Sequence, residues 1–231
     1  MNYKNFVFDF GNVLASFDGE ELLTHFCEDK KDRALLKKII FENWQALDEG
    51  TIRYQDYIDQ ALLQTPEHLH KNVRAFFKDW HRYLTPLTQT WDFIRELKAS
   101  GHSIYLLSNA PVYFADHASE VYEILKEFDG ILFSAPVLLA KPQPEIYRLL
   151  FDKWDLDPQD CFFLDDKPEN IEAAKKAGMN GIVFTGDIEA VKAAAFSCSS
   201  ASTLKQIFQS FSLSCFFASS MISPYFPMIY G

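Results

Sequence analysis

The chain has 231 residues, 48% hydrophobic and 16% aromatic, enough for a sizeable core in one domain that carries an insertion. A formal charge of -10, with a pI near 5.0, argues against nucleic acid or an anionic membrane as the main partner but leaves local phosphate binding open. The amino terminus shows no basic-then-apolar leader, and the four cysteines (Cys27, Cys161, Cys198, Cys215) form no C-x-x-C pair, so a reduced, cytoplasmic protein without structural zinc is expected.

The first element is a strand. Phe6-Val7-Phe8 is a β-prone apolar run that ends in Asp9 and then turns through Phe10-Gly11-Asn12. In a parallel sheet such an aspartate stands at the carboxyl edge, where these folds bind ligands, and can act as nucleophile, metal ligand or both. Gly11 occupies the place, two residues on, where a second acid would assist.

The next seventy or so residues read as helical. Leu36, Ile39, Ile40, Trp44 and Leu47 recur at helical spacing over Arg33 to Leu47, and Asp48-Glu49-Gly50 closes that helix. Tyr54 to Leu63 and Val73 to Tyr83 continue the pattern around Pro66. Residues 15–85 are therefore expected to form a small helical cap inserted between residues 1–14 and 86–192 of an α/β core.

From Pro86 helices and strands alternate. Helices are expected over Leu87 to Ala99, Asp116 to Phe128, Pro144 to Trp154 and Pro168 to Ala177. Strands are expected over His102 to Leu107, Ile131 to Phe133, Cys161 to Leu164 and Gly181 to Phe184. The alternation implies right-handed crossovers and a doubly wound parallel sheet. From residue 193 the chain becomes an almost uncharged tail, with Lys205 its one charged residue. The uncharged run from Gln206 has the length of a membrane span, but six serines, two prolines and no basic flank disfavour one.

Four strand ends or adjacent loops offer polar groups: Asp9, Ser108 with Asn109, Lys141, and Asp165 with Asp166. Each alone reads as a turn residue, a helix cap or a solvated lysine. Together, in a parallel sheet, they converge on one edge. Three carboxylates would repel one another and raise their pKa values unless a cation stood among them, and the oxygen-rich set suits Mg2+.

The segments FVFDFGNVL, IYLLSNA, AKPQPEIY and FFLDDKPENIEAAKKAG resemble the four motifs of the haloacid dehalogenase-like (HAD) hydrolase superfamily, over about residues 4–190. The D-x-G-N-V form of the first motif is most similar to the sugar-phosphate phosphatases that act on α-D-glucose 1-phosphate. The resemblance implies a Rossmann-like core and a magnesium-dependent phosphatase acting on a small phosphorylated metabolite, such as a hexose 1-phosphate. Asp9 would attack phosphorus, forming an aspartyl-phosphate, and would bind the metal together with the Gly11 carbonyl, Asp166 and Asp165. Ser108 and the Asn109 amide would hold phosphate oxygens, Lys141 would neutralise them and orient Asp9, and Asn170 would brace the loop.

Most phosphatases of the family carry an aspartate where this chain has Gly11, and general acid–base help of that kind contributes about 10²–10⁴ in rate. A cap residue could replace it, the leaving group could need little help, or the protein could be a slow or non-hydrolytic binder. His25, His81 and His117 are the histidines considered for the missing acid. Phe17, Asp18, Trp44 and Tyr54 are candidates for substrate contact. A carbon–halogen hydrolase is the alternative enzyme; that branch of the family generally has tyrosine at the position of Gly11.

Overall fold

Phe6, Val7 and Phe8 are all fully buried. Phe6 and Phe8 pack into one apolar cluster with Phe93, Ile104 and Leu106, while Val7 faces a second with Tyr105, Leu107, Tyr147 and Phe163. A strand buried on both faces belongs at the centre of a sheet covered by helices on each side. The computed structural model, which describes residues 3–196, has this arrangement.

Strand β1 (Asn5–Phe8) leads into a short β2 (Ala15–Ser16) and then the cap helices α1 (Gly19–Thr24), α2 (Lys30–Phe41), α3 (Trp44–Asp48), α4 (Tyr54–Gln64) and α5 (His70–Asp79). The chain returns through β3 (Thr85–Pro86), which pairs antiparallel with β2. The cap thus leaves and re-enters the core through a hydrogen-bonded stem. The core continues with α6 (Thr88–Ala99), β4 (Ser103–Ser108), α7 (Val112–Val121), β5 (Gly130–Phe133) and α8 (Pro144–Trp154). It ends with β6 (Cys161–Asp165), α9 (Pro168–Lys176), β7 (Asn180–Val183) and α10 (Ile188–Phe196).

The five long strands are parallel, in the order β5-β4-β1-β6-β7. Phe8 is in register with Leu106 on one side and Leu164 on the other. Asp9, Ser108 and Asp165 therefore reach the same edge, at the switch point where doubly wound sheets bind ligands. The expected α/β class and helical insertion are present.

Several boundaries differ from expectation. The helix expected over Arg33 to Leu47 breaks after Phe41, and Asn43 has φ -130° and ψ 33°. The apolar period runs through the break because both pieces bury Leu36, Ile40 and Leu47 in one cap core. The helix expected from Asp116 begins at Val112, because Pro111 is already preset for a helix start. It stops at Val121, where Tyr122 turns extended, and a 3₁₀ turn follows. The segment expected as one helix to Tyr83 ends at Asp79 and tightens to a 3₁₀ turn at Trp80–Arg82. At the carboxyl end, α10 crosses the boundary expected at residue 193, and its Phe196 ring packs 5.8 Å from Phe6. The uncharged run from Gln206 lies outside the described residues. Among those described, no helix is long and apolar enough to cross a membrane.

Candidate active site

The three inner strands deliver the polar groups. Asp9 follows β1, and its backbone N–H donates to the Leu164 carbonyl at 2.9 Å, which locks its position against β6. Lys141 arrives from the loop before α8 and sends its ammonium beneath the sheet edge. Its Nζ lies 2.8 Å from Asp9 Oδ1 and 2.6 Å from Asp165 Oδ2. The Lys141 cation also stands 5.4 Å from the centre of the Phe163 ring.

That lysine is tied down from two directions. The Asn109 side chain donates to the Lys141 carbonyl and accepts from the Lys141 N–H, each at 2.9 Å. Asp165 is held in turn by Asn170 Nδ2, at 2.9 and 3.0 Å, and by the Lys167 N–H at 2.8 Å. Asn12, in the left-handed region at φ 55°, donates to Asp166 Oδ2 at 2.9 Å and accepts from the Phe17 N–H at 2.9 Å. Asparagine tolerates that backbone better than most residues.

Burial, opposed by Lys141 and reinforced by Asp165, pushes the Asp9 carboxyl up to about 6. Burial works against the Lys141 ammonium too, but the Asp9 and Asp165 carboxylates outweigh it and hold its pKa above the usual value. The cluster is therefore two aspartates bridged by one buried ammonium, which opposes the effect of burial on Asp9.

Asp9, Asp165 and Asp166 bring carboxylate oxygens within 4.8 Å of one another. Hard oxygen donors at that spacing fit magnesium. Asp165 is already hydrogen-bonded on both oxygens, so Asp9 and Asp166 are the freer donors. At Gly11 an added Cβ would meet only Phe17 Cβ, at 3.9 Å, so crowding around the Cβ does not exclude an acid there.

Above this floor is a cavity of about 190 Å³. Its base holds Asp9, Ser108, Asn109, Lys141 and Asp166, and Phe17, Trp44, Trp80, Leu84 and Phe114 form an aromatic and aliphatic wall. All seven residues expected at the site, Asp9, Gly11, Ser108, Asn109, Lys141, Asp165 and Asp166, meet at this one edge; Asp165 lies just below the cavity lining.

Of the four candidates for substrate contact, Phe17 and Trp44 line the cavity. Asp18 instead caps α1, accepting from the Glu20 and Glu21 N–H groups, and Tyr54 donates to the Phe77 carbonyl. None of the three histidines is in the lining. His25 stacks on Tyr83, His117 Nδ1 pairs with the Tyr113 carbonyl, and His81 is buried with neither ring nitrogen hydrogen-bonded. Sequence reasoning missed Asp48, Trp80, Phe114 and Lys167 as lining residues. In the sequence Asp48 marks only the end of a helix, and Trp80 falls inside the helical run from Val73 to Tyr83.

The model of the haloacid dehalogenase-like hydrolase family matches residues 3–178. A sesquiterpene phosphatase of Aspergillus oryzae is 28% identical over 188 residues, covering 80% of this chain and 92% of that protein. A D-ribitol-5-phosphate phosphatase of Bacteroides thetaiotaomicron is 26% identical over 189 residues, covering 76% and 88%. Among solved structures, a point mutant of a HAD family enzyme from Bacteroides thetaiotaomicron, in complex with magnesium and inorganic phosphate, superposes with a TM-score of 0.67. It is 21% identical and covers 82% of this chain and 99% of that one. An L-2-haloacid dehalogenase from Xanthobacter autotrophicus shares the fold at a TM-score of 0.58 and 14% identity, covering 89% and 88%. The fold is thus shared with a dehalogenase as well as with the magnesium- and phosphate-bound enzyme, and the family match over residues 3–178 shows that this chain belongs to the haloacid dehalogenase-like hydrolases.

Proposed function

We propose that this hydrolase is a magnesium-dependent phosphatase that cleaves a small phosphate monoester through an aspartyl-phosphate on Asp9. The observation that carries the reading is the buried Lys141 bridging Asp9 and Asp165 beside Asp166. Lys141 offers a fixed ammonium to an anionic substrate beside the Asp9 nucleophile, and the three carboxylates offer oxygens to a cation. The similar phosphatases support the same reaction class.

Asp9 attacks phosphorus through the oxygen not held by Lys141. Ser108 and the Asn109 N–H hold the non-bridging oxygens, since the Asn109 side chain is already committed to Lys141. Lys141 keeps Asp9 ionised and offsets the phosphate charge. Asp9, Asp166 and the Gly11 carbonyl, with Asp165 behind them, would hold magnesium, which when bound neutralises the charge on the transferring group. The cap excludes water from the cavity while the acyl-phosphate forms.

The cavity wall bears on the organic half of the substrate. Its polar groups sit almost entirely on the phosphate floor, so a compact apolar or aromatic alcohol suits it better than a group with many hydroxyls. At about 190 Å³ it is below the ~300–1,000 Å³ usual for small-molecule sites, so a long apolar chain would need the cap open. The second reading is a hexose 1-phosphate, favoured by Gly11, because an anomeric leaving group needs less protonation than an ordinary alcohol.

A panel of prenyl, aryl and hexose phosphates, assayed with and without magnesium beside Asp9→Asn, tests both. Magnesium-dependent turnover that vanishes in Asp9→Asn is expected. Turnover of a 2-haloacid instead, without metal, would sink the phosphatase reading. Glucose 1-phosphate outpacing every apolar ester would select the second substrate class over the first.

A further inference from the structure

Asp48 is a cap carboxylate that the reaction as described leaves unused. It sits at the end of α3 and lines the cavity opposite Asp9 and Lys141. Its Oδ1 is buried and has no hydrogen-bond partner, which is costly for a polar atom unless something else uses it. The other acids of the lining, Asp9 and Asp166, both belong to the floor.

The backbone around Asp48 is clamped to the core. Ser134, just after β5, donates its hydroxyl to the Asp48 carbonyl, and Ser134 Oγ accepts from the Ala110 N–H at 2.9 Å. The Ser134 N–H donates to the Ser108 carbonyl at 3.0 Å. One serine therefore fixes Asp48 to the strand end that carries Ser108. Gly50 completes the clamp. It turns at φ +69°, and a Cβ there would lie 2.5 Å from the Ala135 carbonyl oxygen. Such a clamp is more than a loose cap loop needs, but a carboxyl that must meet a reacting atom requires it.

We propose that Asp48 is the catalytic proton donor to the leaving oxygen, supplying from the cap the carboxyl that Gly11 lacks on the floor. The inference rests on the phosphatase reading above. In the first step Asp9 bonds to phosphorus, the bond to the leaving oxygen breaks, and that oxygen takes the Asp48 proton. In the second, Asp48 accepts a proton from the water that attacks phosphorus, and the acyl-phosphate bond breaks to return Asp9 and release inorganic phosphate.

The surroundings favour the proton-bearing form of Asp48 over the carboxylate. Burial holds the Asp48 carboxyl well above the usual carboxylate range; Lys167 opposes this, Asp9 adds to it, and Lys141 and a hydrogen bond from the Trp44 side chain also oppose it. None of the three histidines considered lines the cavity, and Asp48 is the lining carboxyl that stands off the floor.

The test is Asp48→Asn, which keeps size and polarity but carries no acidic proton. The readout is kcat/KM, which reports steps up to leaving-group departure, on an alkyl phosphate and on 4-nitrophenyl phosphate. The alkyl ester needs the proton and the nitrophenyl ester scarcely does. The ratio of the two, nitrophenyl over alkyl, should rise by about 10²-fold or more in the variant, the scale of general acid help. The double variant Asp48→Asn with Gly11→Asp should bring the ratio back toward the parent value, because Gly11 has space for a Cβ. An unchanged ratio, whether both rates fall together or neither falls, overturns the assignment. Turnover surviving Asp9→Asn would instead overturn the phosphatase reading, so the two failures are distinguishable.

Discussion

Lys141 Nζ lies 2.6 Å from Asp165, with the two side chains 1% and 0% exposed. The aspartate is the fixed end of this pair, since Asn170 and the Lys167 N–H occupy its oxygens as well. Neutralising Asp165 leaves Lys141 with Asp9 alone and weakens the buried hydrogen bonds that Asp165 accepts, at a cost of about 1–3 kcal/mol. Asp165→Asn should therefore lower the unfolding free energy by that order in a urea titration and loosen Lys141 beneath Asp9. A loss below about 1 kcal/mol, the level of an exposed pair, would show that the contact is not a buried anchor.

Gly50→Ala tests the seating of the cap. The new methyl meets backbone, not a flexible side chain, and the left-handed φ adds strain of about 1–2 kcal/mol. The cap must lift from Ser134 and Ala135. We expect lower kcat/KM on every phosphate ester, together with a lower thermal midpoint. Parent-like behaviour in both would mean that the cap does not close against this loop.

Metal binding can be followed without catalysis. A ligand that binds only the folded state at 100 times its Kd stabilises by about 2.7 kcal/mol. Magnesium should raise the parent's thermal midpoint, and Asp166→Asn should remove most of that rise, because Asp166 is one of the two freer carboxylates of the cluster. Equal shifts in both proteins would place the ion elsewhere.

Acid stability should depend in part on Asp129. Burial pushes its carboxyl up, but hydrogen bonds from Lys98 and from the Ile104 N–H, both at 2.8 Å, outweigh it and hold its pKa below the usual value. The ionised form is thus favoured in the folded state. Its contribution is fully present above the unfolded pKa of about 3.9 and fades as pH falls through the lower folded value. At 38% side-chain exposure, solvent screening limits it to about 1 kcal/mol. Asp129→Asn should flatten the loss of unfolding free energy below about pH 4, measured against the parent in urea. A parallel pair of curves would exclude it.

The core was legible where physics is local. Phe6-Val7-Phe8 has to be an interior strand because it is apolar on both faces, and that alone places Asp9 at the sheet edge. Ser108 and Asp165 follow by the same reasoning, whereas Lys141 comes from the loop before α8 and was legible through the AKPQPEIY resemblance. The break between Phe41 and Trp44 was not legible, since a helical period continues through it when both pieces bury into one cluster. Asp48 was not legible for a different reason. Its place in the cavity is set by Ser134, 86 residues away, and no pattern around Asp48 encodes that contact. Trp80 likewise reaches the cavity because the chain tightens into a 3₁₀ turn at the end of α5.

The junction between cap and core is built largely from rings. Trp80 stacks on Phe114 with centroids 5.4 Å apart, and Tyr54 lies almost flat on Tyr113 at 4.6 Å. Each pair joins a cap residue to one on α7. Separating the two parts unstacks both pairs at once and exposes an indole to water. The junction thus holds its own optical gauge: a change in Trp80 emission or near-ultraviolet dichroism, read against the core residues Trp91 and Trp154, should follow separation of the two parts without any attached dye.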